Sequence, residues 1–210
     1  MILLIGSQKG GCGKSTLATN ISASLAVKGK DVMLVDADKQ NSSSNWFLDR
    51  SELPDLPPVH SVQKYDDIRA SIIDLNTRYE YVIIDAAGRD SVELRTAMLV
   101  ADILLMPVRP SQFDLDTVPR MQEIYTDAKL LNSKLKFFAV ITMAPTNPII
   151  HESKEAIIFF ENYPEITLLK TLIRERKVYR DVINGEGKGV IEMNNPKAKK
   201  EIDSLLNEVL

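Results

Sequence analysis

Two lysines, three glycines and a Ser-Thr pair crowd into one stretch near the start of the chain, Gln8-Lys9-Gly10-Gly11-Cys12-Gly13-Lys14-Ser15-Thr16. These types at this spacing suit a polyphosphate. Glycines let backbone N–H groups approach an anion closely. A helix starting at the far end of the stretch adds free N–H groups and the positive end of its dipole. Lys14 brings a point charge to β- and γ-phosphates, and the Ser15 hydroxyl can ligate Mg²⁺. Carboxylates stand ready in two further places. Asp36 and Asp38 follow the apolar run Val32-Met33-Leu34-Val35, and Asp85 closes the run Tyr81-Val82-Ile83-Ile84. An apolar strand that ends in aspartate downstream of a phosphate loop is the Walker B arrangement, whose carboxylate holds the Mg²⁺ shell.

Such groups meet only if strands deliver them to one edge of a sheet. Ile2-Leu3-Leu4-Ile5 reads as a buried parallel strand feeding the loop, and a helical pattern follows over 16–28. Further strands are expected at 32–35, 59–62, 81–85, 102–108, 135–143 and 166–173. Helices are expected at 42–50, 65–79, 94–101, 116–131, 149–162 and 196–210, with Ile68, Ile72, Ile73 and Leu75 on the inner face of the second of these. Trp46 and Phe47 read as packing residues, and His60 has no partner spacing. Alternation of this kind predicts an α/β fold of the P-loop NTPase type. Its sheet of about seven strands is twisted and mostly parallel, with helices on both faces. Two carboxylates at a strand's C-terminal end lie where such sheets bind ligands. No N-K-x-D follows the run at 135–143, so the guanine-reading motif is missing and ATP is favoured.

A length of 210 residues suffices for one domain with a sizeable core, and a single domain over 1–210 is expected. The motif begins almost at the first residue, which leaves no room for an N-terminal DNA-binding domain. The single cysteine excludes an intrachain disulfide and a cysteine cluster for zinc or iron–sulfur. There is no secretory signal and no apolar run of about 18 residues, so a cytoplasmic location is expected. The formal net charge of −3 makes no global case for nucleic acid. A local case exists: between Lys170 and Lys200, nine basic residues face four acids. Arg174, Arg180, Lys197 and Lys200 are the candidate DNA contacts there; a solvated face, with Arg176 near an adenine, is the other reading.

The loop departs from G-x-x-x-x-G-K-[ST] at Gln8 and carries Lys9 instead. K-G-G-x-G-K-[ST] is the deviant Walker A of the ParA and MinD-like ATPases, which this chain resembles, nearest to the small single-domain plasmid partition proteins. Asp36-Ala37-Asp38-Lys39-Gln40 is similar to that family's first switch, D-x-D-P-Q, with Lys39 in place of proline. Gly88 resembles a second switch. The segment 107–114 resembles a proline box near the nucleotide and the dimer interface, or is plain loop punctuation. Thr171 to Arg176 fits a T-x-I-x-x-R pattern, and Gly189 to Glu192 fits loosely.

The resemblance implies an ATP/ADP site built from Lys9, Gly10, Gly11, Cys12, Gly13, Lys14, Ser15 and Thr16, with Arg176 beside the adenine. Mg²⁺ would sit on Ser15, with Asp36 and Asp85 acting through water; capping of a nearby helix is the alternative for Asp36. Asp38 would orient the attacking water, with Gln40 and Gly88 in the switches. Lys9 would reach across an ATP-sandwich homodimer to the partner's phosphates. The implied function is a weak partition ATPase that binds non-specific DNA, and so the nucleoid, in its ATP form. A small centromere-binding protein would stimulate hydrolysis and release it. Two alternatives differ in class. A MinD-type membrane-site ATPase needs a basic amphipathic tail, whereas Glu201, Asp203 and Glu208 interrupt this one. A P-loop ligase of the dethiobiotin synthetase type needs an organic-acid pocket.

Overall fold

The structure, a computed structural model, describes residues 1–147, 152–183 and 185–210. Seven strands form one sheet: β1 (Ile2–Ile5), β2 (Val32–Ala37), β3 (His60–Gln63), β4 (Tyr81–Ala86), β5 (Ile103–Val108), β6 (Lys136–Ala144) and β7 (Thr167–Arg174). Their order is β3-β2-β4-β1-β5-β6-β7, and every neighbouring pair is parallel. The expected α/β architecture is therefore present, and its sheet is parallel throughout.

Because both faces of a parallel sheet are covered, its central strands are apolar without alternation. β1 shows the consequence. Ile2 and Leu4 face one core, with α3 (Arg69–Arg78), α4 (Val92–Met98), α6 (Val118–Leu131) and α7 (Glu152–Phe160). Leu3 and Ile5 face the other, with α1 (Lys14–Val27), α2 (Ser42–Ser51), α8 (Lys177–Asp181) and α9 (Pro196–Val209). β4 and β5 flank β1, so the residues that leave these three strands emerge side by side.

Two of the expected helices differ from their sequence patterns as follows. α3 begins at Arg69 instead of 65, because Asp66 takes a left-handed φ of 65° that a helix cannot continue through. Ile68 and Ile72 are buried but Ile73 is 55% exposed, since adjacent helical positions lie about 100° apart. The helix expected from 116 is preceded by a separate short turn, α5 (Gln112–Leu115). The start of the helix expected at 149 lies outside the described residues. Trp46 is fully buried, as a packing residue should be.

Candidate nucleotide site

The glycine-rich stretch is the connection between β1 and α1. Gly11 and Gly13 adopt φ of 75° and 96°, a region strained for any residue with a Cβ. Several contacts brace the loop. The Thr142 hydroxyl on β6 donates to the Cys12 carbonyl at 2.7 Å, and the buried Cys12 Sγ lies 3.0 Å from Ser7 Oγ. Gly88, past the end of β4, packs on the loop so closely that a Cβ there would stand 2.7 Å from Gly10 N and from Lys9 O. The residue expected in a second switch thus touches the phosphate loop through backbone.

The two lysines part company. Lys14 is 6% exposed, and its Nζ donates to the Lys9 carbonyl at 3.0 Å. The Lys9 side chain lies at the rim, 40% exposed, with Nζ 2.8 Å from Asp114 Oδ2 and 5.6 Å from the centroid of the Phe113 ring. Asp114 is itself buried and accepts a 2.7 Å hydrogen bond from Ser111 Oγ. Arg109 donates to the Gly11 carbonyl. The segment 107–114 therefore grips the phosphate loop at two points, which plain punctuation does not do. Arg109 and Asp114 were not singled out from sequence; their only signal was membership of that segment.

The carboxylates converge as the strands dictate. Asp36 and Asp85 are register partners across the β2–β4 pair. Asp36 is fully buried, and its oxygens accept from Asp38 N at 3.1 Å and Ser44 N at 2.8 Å. It thus caps α2, the alternative reading of this residue. Asp85 is buried with neither oxygen hydrogen-bonded. Burial pushes its pKa up from 3.8 to about 7; the Asp36 charge adds to the rise, and Ser15, Ser43 and Lys14 oppose it. An orphaned, buried carboxylate beside the Ser15 hydroxyl and the Asp36 carboxylate suits a hard cation that prefers oxygen donors. Among the described residues no three His, Cys, Asp or Glu side chains form a metal cage, so Mg²⁺ here would need water and phosphate oxygens as well. Asp38 is half-buried and accepts from Gln40 N at 3.1 Å, while Gln40 is exposed.

Next to the loop lies a cavity of about 380 Å³, lined among others by Gly13, Thr16, Arg109, Arg174, Arg176 and Arg180. Arg176 binds Glu201 of α9 at 2.6 Å, and the Tyr179 hydroxyl joins the same carboxylate at 3.0 Å. Two of the four residues expected to contact DNA line this cavity. Arg174, the last residue of β7, donates to the Pro145 carbonyl, and Arg180, in the last turn of α8, pairs with Glu175 at 3.2 Å. Lys197 and Lys200 are exposed on α9.

The chain has relatives among known ATPases. A profile of the family described as ATPase MipZ matches residues 1–136. The maintenance of carboxysome distribution protein A of Halothiobacillus neapolitanus is 29% identical over 211 residues, covering 99% of this chain and 95% of its own. Among solved structures, an ATP complex of a McdA variant from Cyanothece has a TM-score of 0.78 at 17% identity, over 98% of this chain and 95% of that one. The septum site-determining protein MinD of Pyrococcus horikoshii OT3, complexed with Mg-ADP, has a TM-score of 0.75 at 18% identity, over 99% and 94%.

Proposed function

The chain belongs to the family of the ATPase MipZ, with the deviant Walker A of the ParA and MinD type, and from that premise we propose that it positions a DNA cargo by switching between an ATP-bound dimer and an ADP-bound monomer. ATP or ADP with Mg²⁺ is its cofactor. The observation that carries the proposal is the separation of the two lysines. Lys14 is buried under the loop, where it serves its own chain's phosphates. Lys9 stands at the rim beside Phe113, which is 80% exposed, and this exposure supports a role toward a second copy.

Hydrolysis of the γ-phosphoryl group is a matter of position and charge more than of covalent chemistry. Lys14 neutralises the β/γ oxygens, and the loop's N–H groups hold them. Asp38 accepts a hydrogen bond from the attacking water and aims it. Gly88 presents backbone to the γ-phosphate edge of the loop. Ser15, Asp36 and Asp85 would hold Mg²⁺ here, and the ion when bound would supply further charge to the phosphate oxygens.

DNA contacts in this reading fall to Lys197 and Lys200, with Arg174 and Arg180 assigned to the cavity, and a small adaptor protein bound to the cargo stimulates turnover. The tail helix favours DNA over a membrane as the surface sensed. Ile202, Leu205, Leu206 and Val209 of α9 are buried in the core, and Glu208 accepts from Lys170 N at 2.6 Å and Thr171 N at 2.9 Å on β7. A helix so engaged has no apolar face left for lipid. Among the described residues no helix is long and apolar enough to cross a membrane.

Lys14→Ala should abolish ADP binding in calorimetry. Lys9→Ala should bind ADP as the parent does but remain monomeric on a sizing column with a slowly hydrolysed ATP analogue, and should lose ATP-dependent retention on random duplex DNA. Equal loss of ADP binding in both variants would remove Lys9 from the partner's site. ATP-independent DNA retention by the parent would sink the switch.

Gly88→Ala should weaken ADP binding at least tenfold while leaving the melting temperature within a few degrees. The new methyl group displaces backbone of the phosphate loop, not core. Unchanged ADP affinity would show that the loop yields without loss.

A further inference from the structure

We infer that Arg109 is a nucleotide-binding residue, a third cation that closes on the phosphate nearest the nucleoside. The inference rests on the reading of this site as an ATP site. Arg109 is the first residue past β5, the strand that flanks β1, and so emerges beside the phosphate loop. Its guanidinium donates one bond, to the Gly11 carbonyl, and its Nε is buried with no hydrogen-bond partner. None of the ion pairs among the described residues includes it. Across the same cavity, Arg176 and Arg180 are each paired with a carboxylate, Glu201 and Glu175.

A half-buried guanidinium with an unmade inward N–H bond is under-satisfied, and the shortfall favours any pose that supplies an acceptor. The cavity it lines offers the room. Its lining includes Gly13 and Thr16, where the loop passes into α1, and Ile173 and Arg176. A nucleotide with its terminal phosphates over Lys14 and its base in this cavity places its innermost phosphate between them. Turned from Gly11 into that space, Arg109 offers Nε and one Nη as a fork to two phosphate oxygens, a charge-assisted bidentate pair. A lysine at this position keeps the charge but lacks the fork. The segment 107–114 then acts on two nucleotides, Arg109 on its own chain's inner phosphate and Asp114, through Lys9, on the nucleotide of the second copy.

The test is competition binding of three probes to the full chain carrying Arg109→Gln. ADP should bind about tenfold more weakly. Inorganic pyrophosphate with Mg²⁺, which needs only the Lys14 bed, should bind as it does to the parent, and so should adenosine, which has no phosphate. Arg109→Lys should recover part of the ADP affinity, and thermal melts of both variants should match the parent. Equal loss of pyrophosphate and ADP would overturn the inference, because Arg109 would then act only by shaping the loop at Gly11. Unchanged ADP affinity would overturn it outright. A parent chain that binds neither ADP nor pyrophosphate would instead refute the ATPase reading, a distinguishable failure.

Discussion

Asp85→Asn is expected to make the magnesium-free, nucleotide-free protein more stable at pH 8 while destroying its ATP turnover. Burial raises the Asp85 pKa from 3.8 to about 7. Between those values the folded chain holds a proton that the unfolded chain has released. Stability therefore falls as pH rises through this window and levels off above about pH 7. The full penalty at pH 8 is on the order of 4 kcal/mol as an upper bound, and roughly a third of that at pH 5. Asparagine is neutral at every pH and carries no such penalty. Urea unfolding in the presence of a chelator should show the variant ahead at pH 8 and the gap narrowed to roughly a third at pH 5. Mg-ADP should stabilise the parent more than the variant, because the cation relieves the parent's buried charge. A gap independent of pH would mean that Asp85 does not titrate in this window. The group that the resting fold tolerates worst is the one the proposed chemistry needs, which is how strain at a functional site is sustained.

Glu192→Ala is expected to cost about 3–5 kcal/mol of unfolding free energy, because it strands a buried guanidinium. Arg50 and Glu192 are 4% and 7% exposed and form a bidentate pair at 2.8 and 2.9 Å. Arg50 also donates to the Pro57 and Gly187 carbonyls and stacks 5.3 Å from the Trp46 ring. Glu192 accepts from Gly189 N at 2.8 Å besides. The Trp46 Nε1–H donates to the Lys188 carbonyl at 2.9 Å, so two side chains of α2 bind the 187–192 segment. Exchanging both partners, as Arg50→Met with Glu192→Leu, should recover most of the loss, since no buried charge is then left alone. A loss below about 1 kcal/mol in the single variant, the level of an exposed pair, would show that Arg50 finds water or another acceptor.

What could be read from the sequence divides along physical lines. Strands β1, β2 and β4 were legible because burial on both faces makes them continuous apolar runs. The phosphate loop was legible because its glycines, Lys14 and Ser15 are fixed by local geometry. Ile73 was misplaced because a run of apolar residues does not say which member turns outward. The start of α3 was missed because one left-handed residue, Asp66, decides it. Arg109, Asp114 and the Arg50–Glu192 pair were out of reach. Their partners stand roughly 100 or more positions away in sequence, and charge alone does not distinguish a paired arginine from a solvated one. That Arg174 and Arg180 border the cavity, while Lys197 and Lys200 are exposed on α9, is tertiary information that charge counting does not carry.

The Lys9–Asp114 contact has a bearing on timing. Lys9 is 40% exposed and Asp114 4%, so solvent screens the pair from the lysine side and its worth is set near the top of the exposed-pair range. At about 1 kcal/mol, docked lysine outnumbers free lysine only about fivefold. Roughly one molecule in six then has Lys9 free at any instant, and side-chain exchange on the surface runs in nanoseconds. Waiting for a free lysine lowers apparent affinity for any anion it meets elsewhere by about sixfold. Asp114 thus parks the lysine without locking it. The rate at which two chains join would be set by their encounter, with release of this contact always ahead of it.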